Sequence, residues 1–410
     1  MQFRPILSSL RQHKLTSLLL VLQVALTCAI VCNVAFMIAN RAAQMRLPSG
    51  VAESELSMLT ATSTDPKENL QARHTADLET LRAIAGVKSA VAVNSLPLSN
   101  NHYGYSVCGT KEAMARAMQA RAMVAGCTEF TAYSGTRGEL ATLGLRLIAG
   151  RDFLPDEYTV GDKLPPSMII SRSLAEQLLP GQKAVGHVVY PGPGKSARVV
   201  GVVDTLLAPD LRQNSTNQFT VLLPQMPNDS TVTYVMRSAP GERAYVLKAA
   251  VKALLSIDHQ RLIPAEGVQT FTQMRQHYFQ HDTTMLSLLL ASALGLLFVT
   301  ALGITGLANF WVQQRTRSIG IRRAVGATRG DILRYFQTEN FLIVSVGIVL
   351  GVLLATLLNL ILMRHYELPR LPLYYLPISA LVLWGLGQLA VLGPALRAAA
   401  VPPVVATRSV

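Results

Sequence analysis

Acidic residues are scarce wherever this chain is apolar. Outside residues 40–282 there are 3 Asp or Glu against 13 Lys or Arg, whereas residues 40–282 carry 21 against 24. The formal net charge of +13 is therefore concentrated beside apolar segments. That placement argues for membrane topology and against a nucleic-acid surface. Charged residues make up only 15% of the chain, half of it is hydrophobic, and the mean hydropathy of +0.32 is high for a wholly soluble protein.

Several chemical signatures are missing too. There is no H-E-x-x-H to accompany His277 and His281, which stand four residues apart next to Asp282. A solvated helix face is the expected role for that pair, and no metal site is expected. There is no G-x-S-x-G and no Ser/His/Asp or Cys/His arrangement that stands out. Gly194-Lys195-Ser196 imitates the end of a phosphate-binding loop, but Val189 occupies the position where the earlier Gly is required. A hairpin turn is the expected role of Gly192–Ser196. Asp204 follows the apolar run Val199–Val203 and reads as a turn residue ending a strand. The chain is expected to bind no cofactor and to catalyse nothing.

Four long apolar runs are present: Leu15–Ala39, Thr283–Trp311, Phe341–Met363 and Pro377–Leu396. About 20 apolar residues cross the hydrocarbon core. The first run, preceded by Arg4, Arg11 and Lys14, exceeds the apolar core of a signal peptide and lacks a clear cleavage site, so it is expected to stay as an anchor. Arg315, Arg317, Arg322, Arg323, Arg329 and Arg334 fall in residues 312–340, between the second and third runs. The short loop 364–376 has Arg364 and Arg370 against Glu367. The positive-inside rule puts residues 1–14, 312–340 and 397–410 in the cytoplasm and residues 40–282 outside it. Gly347 and Gly351 form a GxxxG for close helix packing, and Gln23 and Asn33 suit hydrogen bonds between helices.

Residues 40–282 read as α+β. Strand Leu56–Thr62, helix Asn69–Ile84 and strand Val87–Val93 make one unit, and strand Val232–Arg237, helix Glu242–Ile257 and strand Arg261–Val268 a second. Residues 99–227 form an insertion between them. After Thr270 the helical pattern is expected to run unbroken into the second span as a stalk. Cys28 and Cys32 lie one turn apart within the first span, where packing is the default role. Cys108 and Cys127 belong to the external region, and a disulfide between them is expected in an oxidising compartment.

The stretch Arg317–Thr328 mixes arginines with apolar and small residues. Ile319, Ile321 and Val325 are expected to be exposed unless a partner or the membrane surface covers them. Within it, Ile319-Gly320-Ile321-Arg322-Arg323-Ala324-Val325-Gly326-Ala327 resembles the signature loop of the FtsX-like and MacB-like ABC permeases, the type VII systems. Leu143-Gly144-Leu145, Gly150-Arg151-Asp152-Phe153, Ile170–Ala175 and Val199–Val203 are similar to the MacB periplasmic core domain, and Pro394–Ala399 with Pro403-Val404 to the family's ending.

The resemblance implies a bacterial inner-membrane permease, with a porter-like periplasmic part carrying the sabre-like insertion 99–227. It implies a second permease and a cytoplasmic ABC ATPase dimer that binds ATP and Mg and docks on Ile319–Ala327. Through mechanotransmission the pair would export peptides, antibiotics or other metabolites with a periplasmic adaptor and an outer-membrane channel. Lipoprotein release and a non-transporting signalling scaffold for periplasmic hydrolases are the alternatives. Two positions depart from the family pattern: Ser318 and Val405 stand where Glu is usual. Only fourteen residues precede the first span, so the ATPase is expected on another chain.

Overall fold

A computed structural model describes residues 14–400 apart from 102, 162, 212–215, 259–260 and 367–370. Readings that rest on Arg4, Arg11, Glu367, Arg370, Pro403-Val404 and Val405 lie outside the described residues, as does the side chain of Arg364. In chain order the elements begin with α1 (Lys14–Met45), β1 (Leu56–Thr62), α2 (Leu70–Arg82), β2 (Val87–Val93), β3 (Gly104–Cys108), α3 (Lys111–Ala120) and β4 (Cys127–Ser134). Then come α4 (Glu139–Leu143), β5 (Leu147–Gly150), β6 (Thr159–Val160), β7 (Ser167–Ser171), α5 (Arg172–Leu178), β8 (Val188–Gly192) and β9 (Lys195–Val203). The rest are β10 (Thr220–Leu223), β11 (Gln225–Met226), β12 (Thr231–Ser238), α6 (Arg243–Ile257), β13 (Val268–Thr270), α7 (Phe271–Tyr278), α8 (Gln280–Gln314), α9 (Thr316–Ala324), α10 (Arg329–Tyr366) and α11 (Tyr375–Ala400).

The chain divides into an α/β unit, Arg46–Gln280, and a helical unit, Met1–Met45 with His281–Val410. In the α/β unit a four-stranded sheet has the order β13-β1-β12-β2, with β1 antiparallel to β12 from Leu56↔Arg237 to Thr62↔Thr231. Successive residues of β1, β2 and β12 point to opposite faces, and both faces carry apolar side chains. Leu59, Ala61, Tyr234 and Met236 pack under α2 and α6, against Leu78, Leu81, Val246 and Leu254. Leu56, Met58, Val91, Val93 and Val235 face the other way, onto Tyr133, Ile169, Val200 and Leu222 of the second sheet.

Every strand of that second sheet comes from residues 99–227, and its order is β5-β9-β7-β10-β4-β3-β8. Because β8 also pairs with β9, six of the strands close into a barrel-like ring with β5 attached outside. The β8–β9 hairpin turns at Pro193-Gly194, where Gly194 has φ +66°, a conformation that glycine adopts without strain. The phosphate-loop look-alike is thus a hairpin. Asp204 pairs with Arg146 and, at 2.7 Å, with Arg172.

Two expected elements differ. Arg261–Val268 is not one strand, because Pro264 offers no amide to a ladder. Leu262 makes a single bridge to Thr62, a 3-10 turn covers Ala265–Gly267, and the strand is Val268–Thr270. Nor is the stalk an unbroken helix: α7 ends at Tyr278, and Phe279 (φ −91°, ψ 7°) separates it from α8. Tertiary contacts hold both aromatic residues here. The Tyr278 hydroxyl accepts from the Leu211 amide at 2.8 Å, and Phe279 is buried beneath the Arg275 guanidinium.

Among the described residues the helical unit has four helices long and apolar enough to cross a membrane: α1, α8, most of α10, and α11. They outrun their apolar windows, since backbone bonding continues where hydropathy stops. The 38 residues of α10 span about 57 Å at 1.5 Å per residue, nearly twice a hydrocarbon core of about 30 Å. In the core of this unit Leu20, Val24, Cys28 and Cys32 of α1 pack with Ile343, Val344 and Ile348 of α10 and with Leu383 and Val391 of α11. Asn33 donates to the Ala355 carbonyl at 3.2 Å and Gln23 to the Val299 carbonyl at 3.3 Å, so both polar residues of the first span bond across helices.

Candidate functional site

The Arg-rich stretch forms a helical elbow, and each part of its sequence has a local reason. Arg315 opens it by donating to both carboxylate oxygens of Glu339 on α10, at 3.1 and 2.8 Å. Glu339 is buried, which makes this pair the clamp that fixes where α9 starts. At the other end Gly326 has φ +108°; its amide bonds Arg323 O at 3.2 Å, and the Ala327 amide bonds Arg322 O at 3.0 Å. This is a Schellman turn, which explains why glycine stands there. Thr328 and Asp331 then cap α10 reciprocally, at 3.0 and 3.2 Å. The Thr328 hydroxyl, donating to the Asp331 carboxylate at 2.6 Å, and then the Thr328 amide hold that carboxyl below the usual range.

The resulting geometry separates residues that look equivalent in sequence. Ile319 is buried against Ile332, Phe336, Ala395, Ala398 and Ala399, contrary to the expected exposure, because α9 folds back on α10 and α11. Gly320 is buried beside it. Ile321 is 51% exposed and Val325 85% exposed, and Ala324 is exposed as well. The two arginines part in the same way. Arg323 donates to the Ala399 carbonyl at 3.0 Å and so ties α9 to the end of α11. Arg322 points outward, its guanidinium 5.0 Å from the centre of the Tyr335 ring. Ile321, Arg322, Ala324 and Val325 therefore present one cationic, apolar surface, while Ile319, Gly320 and Arg323 hold it in place.

Gly347 and Gly351 sit where α10 meets α1. A Cβ on Gly351 would fall 2.4 Å from Cys28 Cβ and 2.7 Å from the Ala25 carbonyl; one on Gly347 would fall 2.8 Å from Val24 Cβ. Gly351→Leu is accordingly expected to push the helices apart at a cost of about 1–3 kcal/mol. The check is the thermal midpoint of the purified full chain, and an unchanged value would place this contact outside the stability of the fold.

In the α/β unit Cys108 and Cys127 are direct partners in the β3–β4 register and are joined as a disulfide. Two further features carry no sequence motif. The first is a buried network around Asp77: Arg261 Nη1 lies 2.9 Å from each carboxylate oxygen, and Tyr234 donates to Oδ2 at 2.7 Å. His74 bonds the same Tyr234 hydroxyl at 3.0 Å. The second is Glu139, which is buried at the start of α4, with Oε1 making no hydrogen bond. Burial above all, then the nearby Asp152 carboxylate, raises its carboxyl to about 8. Only the partners, far away in sequence, mark these residues. Among the described residues no group of three or more His, Cys, Asp or Glu gathers as a metal site.

Residues 18–254 match the MacB-like periplasmic core domain, and residues 290–403 match the FtsX-like permease C-terminal family. The macrolide export ATP-binding/permease protein MacB of Acinetobacter baylyi is 29% identical over 220 residues, 52% of this chain and 32% of that protein. The Escherichia coli MacB is 29% identical over 223 residues, with the same coverage. The match therefore spans about a third of the length of these relatives. The uncharacterized ABC transporter permease YknZ of Bacillus subtilis is 24% identical over 282 residues, 67% of this chain and 64% of YknZ. Among solved structures, the extracellular domain of YknZ from Gram-positive bacteria aligns with TM-score 0.33 and 18% identity over 50% of this chain and 99% of that one. The periplasmic region of MacB from Actinobacillus actinomycetemcomitans aligns with TM-score 0.33 and 15% identity over 56% and 94%. With one family matched across the α/β unit and the other across α8–α11, the chain belongs to the FtsX-like ABC transporter permeases that carry a MacB-like periplasmic core domain.

Proposed function

We propose that this chain is the permease subunit of an ATP-driven exporter, and that the outward face of α9 is where a separate cytoplasmic ABC ATPase docks. The observation that carries the reading is the exposed pair Ile321 and Val325 beside Arg322, on a helix clamped by Arg315–Glu339 and Arg323–Ala399. Apolar side chains held rigidly in water next to a cation have the make-up of an interface. ATP and Mg belong to the ATPase. Both termini and α9 lie in the cytoplasm, and the α/β unit lies in the periplasm, as the arginine distribution favours.

In this reading the clamped elbow passes ATPase movement into α8 and α10, and on to the α/β unit. A second permease completes the complex, with lipid and that partner covering the apolar sides of α8, where Leu288, Phe298 and Leu302 stand exposed. A periplasmic adaptor and an outer-membrane channel would carry away a peptide, antibiotic or other metabolite. The relatives named as macrolide exporters support export over lipoprotein release or signalling.

The test is co-purification of the full chain with its cognate ATPase. Ile321→Asp combined with Val325→Asp is expected to lower the ATPase recovered by about tenfold or more, while the thermal midpoint of the α/β unit stays the same. Equal recovery would overturn the docking assignment.

A further inference from the structure

Between α9 and α10 a cavity of about 140 Å³ opens, lined by the apolar or aromatic Ile319, Ile332, Tyr335 and Phe336 and by the polar Arg315, Ser318, Arg322 and Asp331. Its floor is apolar, because Ile319, Ile332 and Phe336 are buried there. A space of about 150 Å³ is large enough for a benzene ring. Ser318 stands at the wall with one of the smallest side chains, and Arg322, one turn further on, lies over Tyr335 at the rim. Among the described residues no carboxylate lies within ion-pair reach of Arg322. The neighbouring acids are engaged elsewhere, Asp331 in capping Thr328 and Glu339 in holding Arg315.

We infer that this cavity is a socket for one aromatic or branched apolar side chain of the docking ATPase, and that a carboxylate on the same partner segment pairs with Arg322. The inference rests on the docking reading above and adds the chemistry of the partner. Complementarity is the argument. An unmatched guanidinium whose orientation is set by a ring selects a carboxylate in bidentate geometry. A preformed hole with an apolar floor and a polar rim selects an apolar side chain that fills it, and such anchored residues supply most of the energy of an interface. The alternative occupant, an anionic lipid headgroup, would satisfy Arg322 but leave the hole beneath it empty.

Two variants of the full chain test this, each co-expressed with the cognate ATPase and purified in nanodiscs with and without phosphatidylglycerol. Ser318→Trp fills the hole from within and is expected to lower ATPase recovery by about tenfold. Arg322→Glu is expected to do the same, and a single acidic-to-arginine change on the ATPase is expected to restore binding to it but not to the original chain. Unfolding is monitored through the thermal midpoint of each variant. If the Ile321→Asp, Val325→Asp pair abolishes recovery while Ser318→Trp and Arg322→Glu leave it unchanged, docking stands and the socket is refuted. If all three leave it unchanged, the docking reading itself falls. A loss with Arg322→Glu that appears only in phosphatidylglycerol nanodiscs assigns the cation to lipid and overturns the inference.

Discussion

Asp77→Ala is expected to destabilise the α/β unit by about 3–5 kcal/mol, the cost of breaking a buried ion pair and leaving Arg261 only the Asp258 carboxylate at 4.0 Å. Asp77 is 0% exposed and Arg261 5% exposed, and the guanidinium places one nitrogen 2.9 Å from both carboxylate oxygens. With the carboxylate gone, Arg261 keeps its charge in a site that water does not reach, and the Tyr234 hydroxyl loses its acceptor. Against a typical domain stability of about 5–15 kcal/mol, the loss is a large share. Adding Arg261→Leu to Asp77→Ala is expected to recover part of it, since the double variant buries no lone ion. Denaturant unfolding of the purified full chain measures both effects. A cost below about 1 kcal/mol for Asp77→Ala would mean that the network contributes little.

Glu139→Gln is expected to act in the opposite direction and to depend on pH. The folded state raises this carboxyl from 4.5 to about 8, through burial and then through repulsion from Asp152. A folded state that binds the proton more tightly than the unfolded chain is favoured by acid. The contribution is complete below the unfolded value of about 4.5 and is lost as pH rises through about 8. Across that window each pH unit removes about 1.4 kcal/mol. Glutamine has no proton to release, so the variant is expected to melt higher than the parent at pH 8 and to show a flatter profile between pH 5 and 8. Tyr133 and Tyr158, whose hydroxyls also feel Glu139, titrate above this range and do not blur it. Parallel profiles for the two proteins would show that Glu139 is not the group responsible.

The feature places the charge at a junction. Glu139 follows Ser134–Gly138, where β4 leaves the second sheet. There the Thr136 amide bonds the Ala92 carbonyl and Gly135 bridges Val93 of the first sheet. A Cβ on Gly135 would lie 2.7 Å from the Glu139 carboxyl carbon, so a side chain there would displace that carboxyl. Stability lost at alkaline pH is thus lost where the two sheets meet.

Much of the fold was legible because its signals are local. An apolar run of 20 or more residues is its own evidence of a span, and Leu56–Thr62 and Val87–Val93 are short, largely buried runs of strand length. The same applies to the Pro193-Gly194 turn. The elbow was legible as a distinct element from its mixture of arginines and apolar residues, but not in its division of labour. Ile319 and Ile321 are chemically alike, and so are Arg322 and Arg323. Which of each pair is buried depends on how α9 folds onto Ala395, Ala398 and Ala399, some seventy residues later.

By itself, then, the sequence determined the four apolar helices, the charge asymmetry that orders them, the α/β character of residues 46–280 and the location of the arginine-rich elbow. Each of these follows from hydropathy, periodicity or turn chemistry within a few residues. Only the tertiary structure decided that Arg323 is a tie while Arg322 lies over the Tyr335 ring, that Glu339 clamps Arg315, and that Asp77 meets Arg261 across 184 residues. The tertiary structure also decided that Phe279 breaks the stalk and that Glu139 carries a buried carboxyl. Burial of a polar group is set by what the distant chain brings against it, and no local pattern encodes that.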